Sequence, residues 1–412
     1  MKILQVNKYN YLRGGSEAVF FNTIKLLEEH GHEVARMSVN HPRNEPSPWE
    51  RYFVDAPEIR DIAGVWGKLQ SIPRFFVNRD AAAKMERLIE EFHPDIAHLH
   101  NIFNGISLSI LPVLKRHGIP VVITLHDTRF ICPSLHFNLY GKRCDNCLDT
   151  WGLKCGLHRC YENSFVNSWM CALEMLYKEK IFHYDNYINR YIFASRNHLD
   201  KHAVRHAYFG QKGSVLYNFV PKLDQAVPMP SHKGYFLFYG RIIDYKGIAT
   251  LVESMKSLPE VTLKVAGTGP MLEQLKSVAT PNVQFVGYKT GQELFELVKN
   301  ASFIIVPSEC EENNPMTIVE GYTYGKPVIG SSLGGIPEII EQGHTGYVFP
   351  AFDREALAQA IRQAASVTDE QYAIMSHNAR TFAETHFHPT AHYTALMEIY
   401  SQALASEGQH RP

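Results

Sequence analysis

The chain repeats one rhythm: a short apolar run, a loop, then a segment whose apolar positions recur every three to four residues. Apolar runs at 2–6, 33–39, 95–99, 120–125, 189–194 and 214–217 read as buried strands. Helices fit 16–30, 80–92, 106–117, 165–185 and 196–206. Strands and helices in alternation imply a parallel sheet covered on both faces. Between 130 and 163 the rhythm collapses into Cys, Gly, Asn and Asp, which marks an insertion.

A second series follows, with strands at 235–239, 261–266, 283–286, 302–306, 327–330 and 346–349 and helices between them. Helices near 353–366, 370–384 and 390–405 close the chain. Three prolines and no periodicity between Asn218 and Ser231 mark a linker. The expected fold is therefore α/β, with two Rossmann-like domains whose parallel sheets face each other across a cleft. Ligands of such sheets bind beyond the strand C-termini, so the loops there carry the functional question.

The length of 412 residues agrees with two domains. A net charge of -1 gives no reason to expect a nucleic-acid partner. The first residues lack the apolar stretch of a secretory signal, and no run is long enough to span a membrane, so a cytoplasmic location is expected. Five of the seven cysteines (Cys132, Cys144, Cys147, Cys155, Cys160) fall in the insertion, where a reducing compartment favours metal binding or buried thiols over disulfides.

In the second half, strand 235–239 runs into Gly240-Arg241-Ile242-Ile243-Asp244-Tyr245-Lys246-Gly247. Arg241 and Lys246 stand before a helix, where two cations and free backbone N–H groups suit a diphosphate; two solvated surface cations are the plain alternative. Strand 302–306 feeds Glu309-Cys310-Glu311-Glu312-Asn313-Asn314-Pro315, with Asn314 a candidate cap for a helix that Pro315 opens and Gly325 ends. Glu320 lies inside that helix, where a carboxylate needs a partner such as the two hydroxyls of a ribose.

In the first half, Arg13-Gly14-Gly15-Ser16-Glu17 precedes a helix and lets backbone approach a phosphate. The dinucleotide fingerprint G-x-G-x-x-G is missing there. Strand 120–125 ends at His126-Asp127, with Asp127 a candidate to fix the tautomer of the histidine ring.

These motifs together resemble glycosyltransferase family 4. Glu312 and Glu320 match its E-x7-E signature, and the Gly-Arg…Lys-Gly loop lies upstream as in that family. Gly267-Thr268-Gly269-Pro270, Gly325-Lys326-Pro327-Val328 and Gly334-Gly335-Ile336-Pro337-Glu338 match in order. The resemblance implies a GT-B fold and a retaining sugar transfer from a nucleotide-diphosphate donor to a glycan or lipid-linked acceptor. It also implies no cofactor or divalent metal for catalysis; no Asp-x-Asp motif occurs in the chain. By resemblance, Arg241 and Lys246 hold the diphosphate, Glu312 and His126 act at the transferred sugar, and Glu320 takes the ribose. Gly14, Gly15, Gly269, Asn314, Met316 and Thr317 complete the substrate-binding set. One departure is Asn313-Asn314-Pro315 where many members have Gly-Phe-Gly; Pro315 offers no N–H, which points to a different sugar preference.

The resemblance also divides the chain. Residues 1–217 form an acceptor-side domain with insertion 130–163, and 218–232 form the linker. Residues 233–388 form the nucleotide-sugar domain, and 389–412 form a helix packing back on the first domain. The insertion is similar to one found in a subset of these enzymes from bacterial polysaccharide assembly. Its Cys-x2-Cys spacing offers either a structural zinc site, with Cys132, Cys144, Cys147 and Cys160 as candidate ligands, or buried thiols without metal. Residues 65–79 mix aromatic and basic side chains, which suits either a helix packed on its own domain, the favoured reading, or peripheral contact with the inner face of a membrane. Two rivals keep the fold: a nucleotide-sugar epimerase or phosphorylase, and a non-catalytic nucleotide-sugar-binding protein.

Overall fold

A computed structural model describes residues 1–56, 76–135, 137–139, 142–148, 150–221, 223 and 234–408. The interfacial stretch expected at 65–79 therefore lies outside the described residues except for its last four, and most of the expected linker lies outside them too.

The N-terminal domain runs β1 (Lys2–Val6), α1 (Gly15–Glu29), β2 (Glu33–Met37), α2 (Arg79–Phe92), β3 (Ile96–Leu99), α3 (Leu111–Arg116) and β4 (Val121–Leu125). Then follow α4 (Leu153–His158), α5 (Phe165–Leu176), β5 (Arg190–Phe193), α6 (Arg196–Arg205), α7 (Ala207–Lys212) and β6 (Gly213–Val215). Its six parallel strands are ordered β2-β1-β3-β4-β5-β6. Every residue of β3 and β4 is buried, as expected of central strands covered on both faces.

The C-terminal domain contains β7 (Tyr235–Tyr239), α8 (Ile248–Ser254), β8 (Leu263–Ala266), α9 (Leu272–Val278), β9 (Val283–Gly287), α10 (Gly291–Lys299) and β10 (Ala301–Val306). It continues with α11 (Met316–Thr323), β11 (Val328–Ser331), α12 (Ile336–Ile339), β12 (Gly346–Phe349), α13 (Arg354–Ala365) and α14 (Asp369–His386). The strand order β9-β8-β7-β10-β11-β12 reverses between β7 and β10, which opens a crevice beyond their C-terminal ends. In the first domain the corresponding point lies between β1 and β3.

The last helix, α15 (Pro389–Gly408), crosses back to the first domain. There Leu396, Ile399, Tyr400 and Ala403 bury Ile3, Ile96, Val122 and Ile192 on one face of the sheet. Where the linker begins, Asn218 and Phe219 hold the two halves together. The backbone N–H of Asn218 donates to Asn314 Oδ1 at 2.8 Å, and the Phe219 ring lies 4.1 Å from that of His392.

Two expected helices are shorter than their periodicity suggests. The pattern at 106–117 yields only α3 after a single 3-10 turn at Leu108–Ile110, because Ser107 sits at φ 70° and cannot continue a helix. The pattern at 165–185 yields α5, then a wider π turn over Tyr177–Phe182 that stops at His183 in the left-handed region. The insertion, expected to be irregular, holds α4 and a small hairpin pairing Asn138–Leu139 with Lys142–Arg143.

The α5 segment is inside out. Glu174, Lys178 and Glu179 are buried, with Lys178 Nζ on the Arg129 carbonyl at 2.6 Å and Glu179 clamped by Arg205 at 2.9 Å. Phe165, Val166, Leu173 and Ile181 instead face outward, Ile181 with 69% of its surface exposed.

Candidate active site

Both switch points open onto one cleft, and loops from both domains meet there. The loop after β7 carries Arg241, whose side chain is exposed, and Lys246, which is half-buried. This loop lies flat against the next one: a β-carbon on Gly269 would stand 2.1 Å from the carbonyl oxygen of Ile242, so only glycine allows the two backbones to touch. The positions of Arg241 and Gly269 are thus fixed by the same contact.

The acidic loop after β10 is the hub of the cleft. Lys246 Nζ donates to Glu312 Oε1, which also accepts from Ser308 Oγ at 2.9 Å. Burial works against the charge of Lys246, but the Glu312 carboxylate more than offsets it and holds the ammonium pKa above its usual value. Gly334 supports the loop from beneath, at φ 62°, with space for a β-carbon blocked by the Glu312 carbonyl at 2.1 Å; the next amide, Gly335 N–H, donates to that carbonyl at 2.7 Å.

Neighbouring residues of the same loop reach across to the first domain. Asn313 Nδ2 donates to the His126 carbonyl at 2.8 Å, Glu309 O accepts from Asn138 Nδ2 at 2.9 Å, and Glu311 pairs with Lys201. Glu338, after the second glycine pair, accepts from the backbone N–H groups of Arg196 (2.8 Å) and Asn197, which open α6. A carboxylate from one domain thereby caps a helix of the other.

Asn314 does not cap α11. Its side chain and carbonyl are both engaged by Asn218, and the N-cap position belongs to Pro315, one residue later than the sequence pattern places it. The interdomain contact outcompetes the local cap because it satisfies two backbone-type partners at once. Met316 and Thr317 open the helix, and Gly325 follows its end at φ 61°. Glu320 is half-buried on α11, where Tyr239 Oη donates to its Oε2 at 3.1 Å. Burial pushes its carboxyl pKa up to about 7, with the tyrosine bond acting in the opposite direction.

From the first domain, Gly14 stands as the N-cap of α1, and Gly15 faces α11: a β-carbon there would lie 3.4 Å from Met316 Cγ. Glu17, in the first turn of α1, is buried, and burial raises its carboxyl pKa. His126 leaves the end of β4 half-buried. Its Nε2 lies 2.8 Å from Nδ1 of His100, and burial lowers its pKa to about 4. Asp127 does not hold the ring: its Oδ1 accepts from the backbone N–H of Arg129 at 2.9 Å, closing the next turn. A short polar side chain at i finds the amide at i+2 more readily than an aromatic ring beside it. The residue that does bind the ring is His100, which the loop motifs do not mark. Its signal was there, in the polar alternation His98-Leu99-His100 at the end of an otherwise apolar strand.

In the insertion, Cys132, Cys147 and Cys155 are buried, and none of the seven cysteines forms a disulfide. Burial, reinforced by the neighbouring thiols, pushes Cys147 up to about 12. Among the described residues no group of three or more His, Cys, Asp or Glu side chains is placed to hold a metal, so the zinc reading draws no support from the geometry. Among the described residues, no helix is long and apolar enough to cross a membrane.

Two family models match successive parts of the chain: Glycosyltransferase Family 4 over residues 13–161 and Glycosyl transferases group 1 over residues 220–382. An uncharacterized glycosyltransferase of Methanocaldococcus jannaschii is 24% identical over 84% of this chain and 83% of its own length. The amylovoran biosynthesis glycosyltransferase AmsK of Erwinia amylovora is 28% identical over 43% of this chain and 46% of its own. Among solved structures, sucrose-phosphate synthase from Thermosynechococcus elongatus superposes with a TM-score of 0.70 at 17% identity, covering 98% of this chain and 99% of that one. HepE of Anabaena in complex with UDP-glucose gives 0.63 at 17%, covering 97% and 99%. With its two sheets, its paired switch points and these matches, the chain belongs to the family 4 glycosyltransferases and has the GT-B fold.

Proposed function

We propose that the enzyme transfers a sugar, with retention of anomeric configuration, from a uridine diphosphate donor to a glycan or lipid-linked acceptor of bacterial surface polysaccharide. The observation that carries the donor site is the Lys246–Glu312 pair beside Arg241 at the C-terminal switch point, directly across from His126. In this reading Lys246 exchanges its glutamate partner for the donor pyrophosphate, joined by Arg241 and the N-terminus of α11. Cations fixed before the reaction stabilise the charge that develops on the leaving diphosphate, which is the part a divalent metal plays elsewhere. Glu312, released from Lys246, and His126 orient the sugar, while Glu320 takes the ribose hydroxyls. Uridine is chosen because HepE of Anabaena binds UDP and UDP-glucose. Retention and the polysaccharide setting rest on the family resemblance and on relatives such as AmsK.

Peripheral membrane contact belongs to the same proposal. The outward apolar face of α5 (Phe165, Val166, Leu173) and Ile181 is flanked by Lys180 and Arg159, a combination that suits an anionic bilayer. Sedimentation with phosphatidylglycerol vesicles tests it: a Phe165→Ser/Leu173→Ser variant should lose binding, and native protein left in solution would count against the contact.

The decisive experiment is calorimetry with UDP followed by turnover of a panel of UDP-sugars, with and without acceptor and with and without EDTA. Binding that survives EDTA and disappears in Lys246→Ala supports the donor site. UDP released only when acceptor is present separates transfer from epimerisation and from simple binding, and NMR of the product's anomeric proton settles retention.

A further inference from the structure

Behind His126, a file of buried hydrogen bonds crosses the N-terminal sheet and ends on the C-terminal helix. On the sheet face covered by α15, the outer positions Ile3, Ile96 and Val122 are apolar. Two residues further along each strand the same face becomes polar, with Gln5, His98 and Thr124, and at the cleft it ends in His100 and His126. Gln5, His98, His100 and Tyr400 are all almost wholly buried.

The contacts form one connected path. Tyr400 Oη lies 2.7 Å from His98 Nδ1, and His98 Nε2 lies 2.7 Å from Thr124 Oγ1. Gln5 Nε2 is 3.4 Å from both Tyr400 Oη and His98 Nδ1, and Gln5 Oε1 is 3.0 Å from His100 Nε2. His100 Nδ1 then meets His126 Nε2 at 2.8 Å. Burial keeps the three rings neutral, drawing His98 to about 3, His126 to about 4 and His100 well below its usual value.

A neutral imidazole has one donor and one acceptor nitrogen, so each contact dictates the next. The starting point is the tyrosine proton. It can go to His98 Nδ1 at 2.7 Å, a normal distance for a hydroxyl donor, or to the Gln5 amide at 3.4 Å, a longer and weaker contact. The short bond makes His98 Nδ1 an acceptor and sends the proton of that ring to Thr124 from Nε2. The Gln5 amide nitrogen then belongs on the tyrosine side, leaving Oε1 to accept from His100 Nε2–H. His100 Nδ1 is therefore a lone pair, and His126 must donate to it from Nε2. The remaining nitrogen of His126, Nδ1, has no hydrogen-bond partner among the described residues.

We propose that His100, anchored through Gln5 to the His98–Tyr400 pair, is a positioning residue that fixes His126 in its Nε2–H tautomer and leaves the Nδ1 lone pair to accept a hydroxyl of the donor sugar. The inference rests on the sugar-orienting role proposed for His126, and it makes α15 part of the site: a helix at the far end of the chain sets which nitrogen of a cleft histidine carries the proton. The wrong tautomer would turn an N–H donor towards the donating hydroxyl and abolish that hydrogen bond.

The test uses the full chain labelled with 15N-histidine and long-range 1H–15N correlation spectra, with the His126 signals identified by their loss in His126→Gln. The native enzyme should show His126 as the Nε2–H form alone. Gln5→Met and His100→Phe, which remove the acceptors in the file, should each give a mixture of tautomers while UDP affinity by calorimetry stays within about twofold, because UDP lacks the transferred sugar that His126 is proposed to meet. Turnover of the donor should fall by about tenfold to a hundredfold in both, chiefly in kcat. A native Nδ1–H form, or a His126 spectrum unchanged in both variants, overturns the relay. If the tautomers shift as expected but His126→Ala keeps full turnover, the relay stands and the sugar-orienting role of His126 fails.

Discussion

The two walls of the cleft are built from opposite materials. The C-terminal wall is ionic: Arg241 is exposed, Lys246 and Glu312 are paired, and Glu320 waits with its pKa near neutrality. The N-terminal wall is neutral, made of histidines whose charge has been removed by burial and whose nitrogens are committed one by one to hydrogen bonds. On the proposed function, the difference follows from what each wall would meet. A leaving pyrophosphate gains charge and needs fixed cations, whereas a sugar stays uncharged and needs donors and acceptors in the right order. Glu312 belongs to the first wall, and the residue after it, Asn313, is bonded to the second through the His126 carbonyl, so the departure from Gly-Phe-Gly in this chain lies on the seam between them.

The largest effect that could break this contrast comes from the ionic wall. Lys246→Ala should lower turnover by about a hundredfold to a thousandfold and weaken UDP binding with it; steady-state kinetics beside calorimetry reads both, and unchanged UDP affinity would remove the lysine from the diphosphate. On the neutral wall, His126→Ala should cost about tenfold to a hundredfold in kcat and leave UDP affinity alone. Equal losses in UDP affinity for the two variants would mean the walls do not divide the donor between them.

Glu320 sharpens the comparison through pH. Its raised pKa means that the folded apo-enzyme holds a proton which the unfolded chain gives up near 4.5, so this carboxyl lowers stability as pH rises from about 4.5 through about 7. Ribose hydroxyls donating to the carboxylate should draw its pKa down. UDP binding at pH 7 is therefore expected to release a fraction of a proton, visible as a dependence of the calorimetric enthalpy on buffer ionisation. Glu320→Gln should abolish both that release and this part of the pH slope in thermal melts.

The smallest effect tests what joins the walls. Glu338→Ala removes the cap that the C-terminal domain places on α6 and should lower stability by about 1 kcal/mol, read from urea denaturation. A transition that splits into two steps would show that this carboxylate couples the domains as well as capping a helix.

The C-terminal half was the more legible of the two. Its strands follow the apolar runs closely, and Arg241, Lys246, Glu312 and Glu320 sit on or beside the loops their motifs mark, because those motifs are local and each side chain acts close to its own backbone. The N-terminal half was legible in its strands, while its helices were shortened by turns at Ser107 and His183 that periodicity does not register. Asn314 and Asp127 were misread for a related reason: each was assigned to its nearest candidate partner in the sequence, and the structure gave Asn314 to Asn218 and Asp127 to the next turn.

The sequence by itself determined the alternation of strands and helices, the two-domain division and the identity of the ionic groups, since periodicity and loop motifs depend on residues near one another in the chain. Only the tertiary structure decided which strands neighbour each other, that a carboxylate of one domain caps a helix of the other, and that Tyr400 lies within hydrogen-bond reach of His98. Those choices rest on contacts between residues tens to hundreds of positions apart, and the burial that creates them also settles which groups keep their charge.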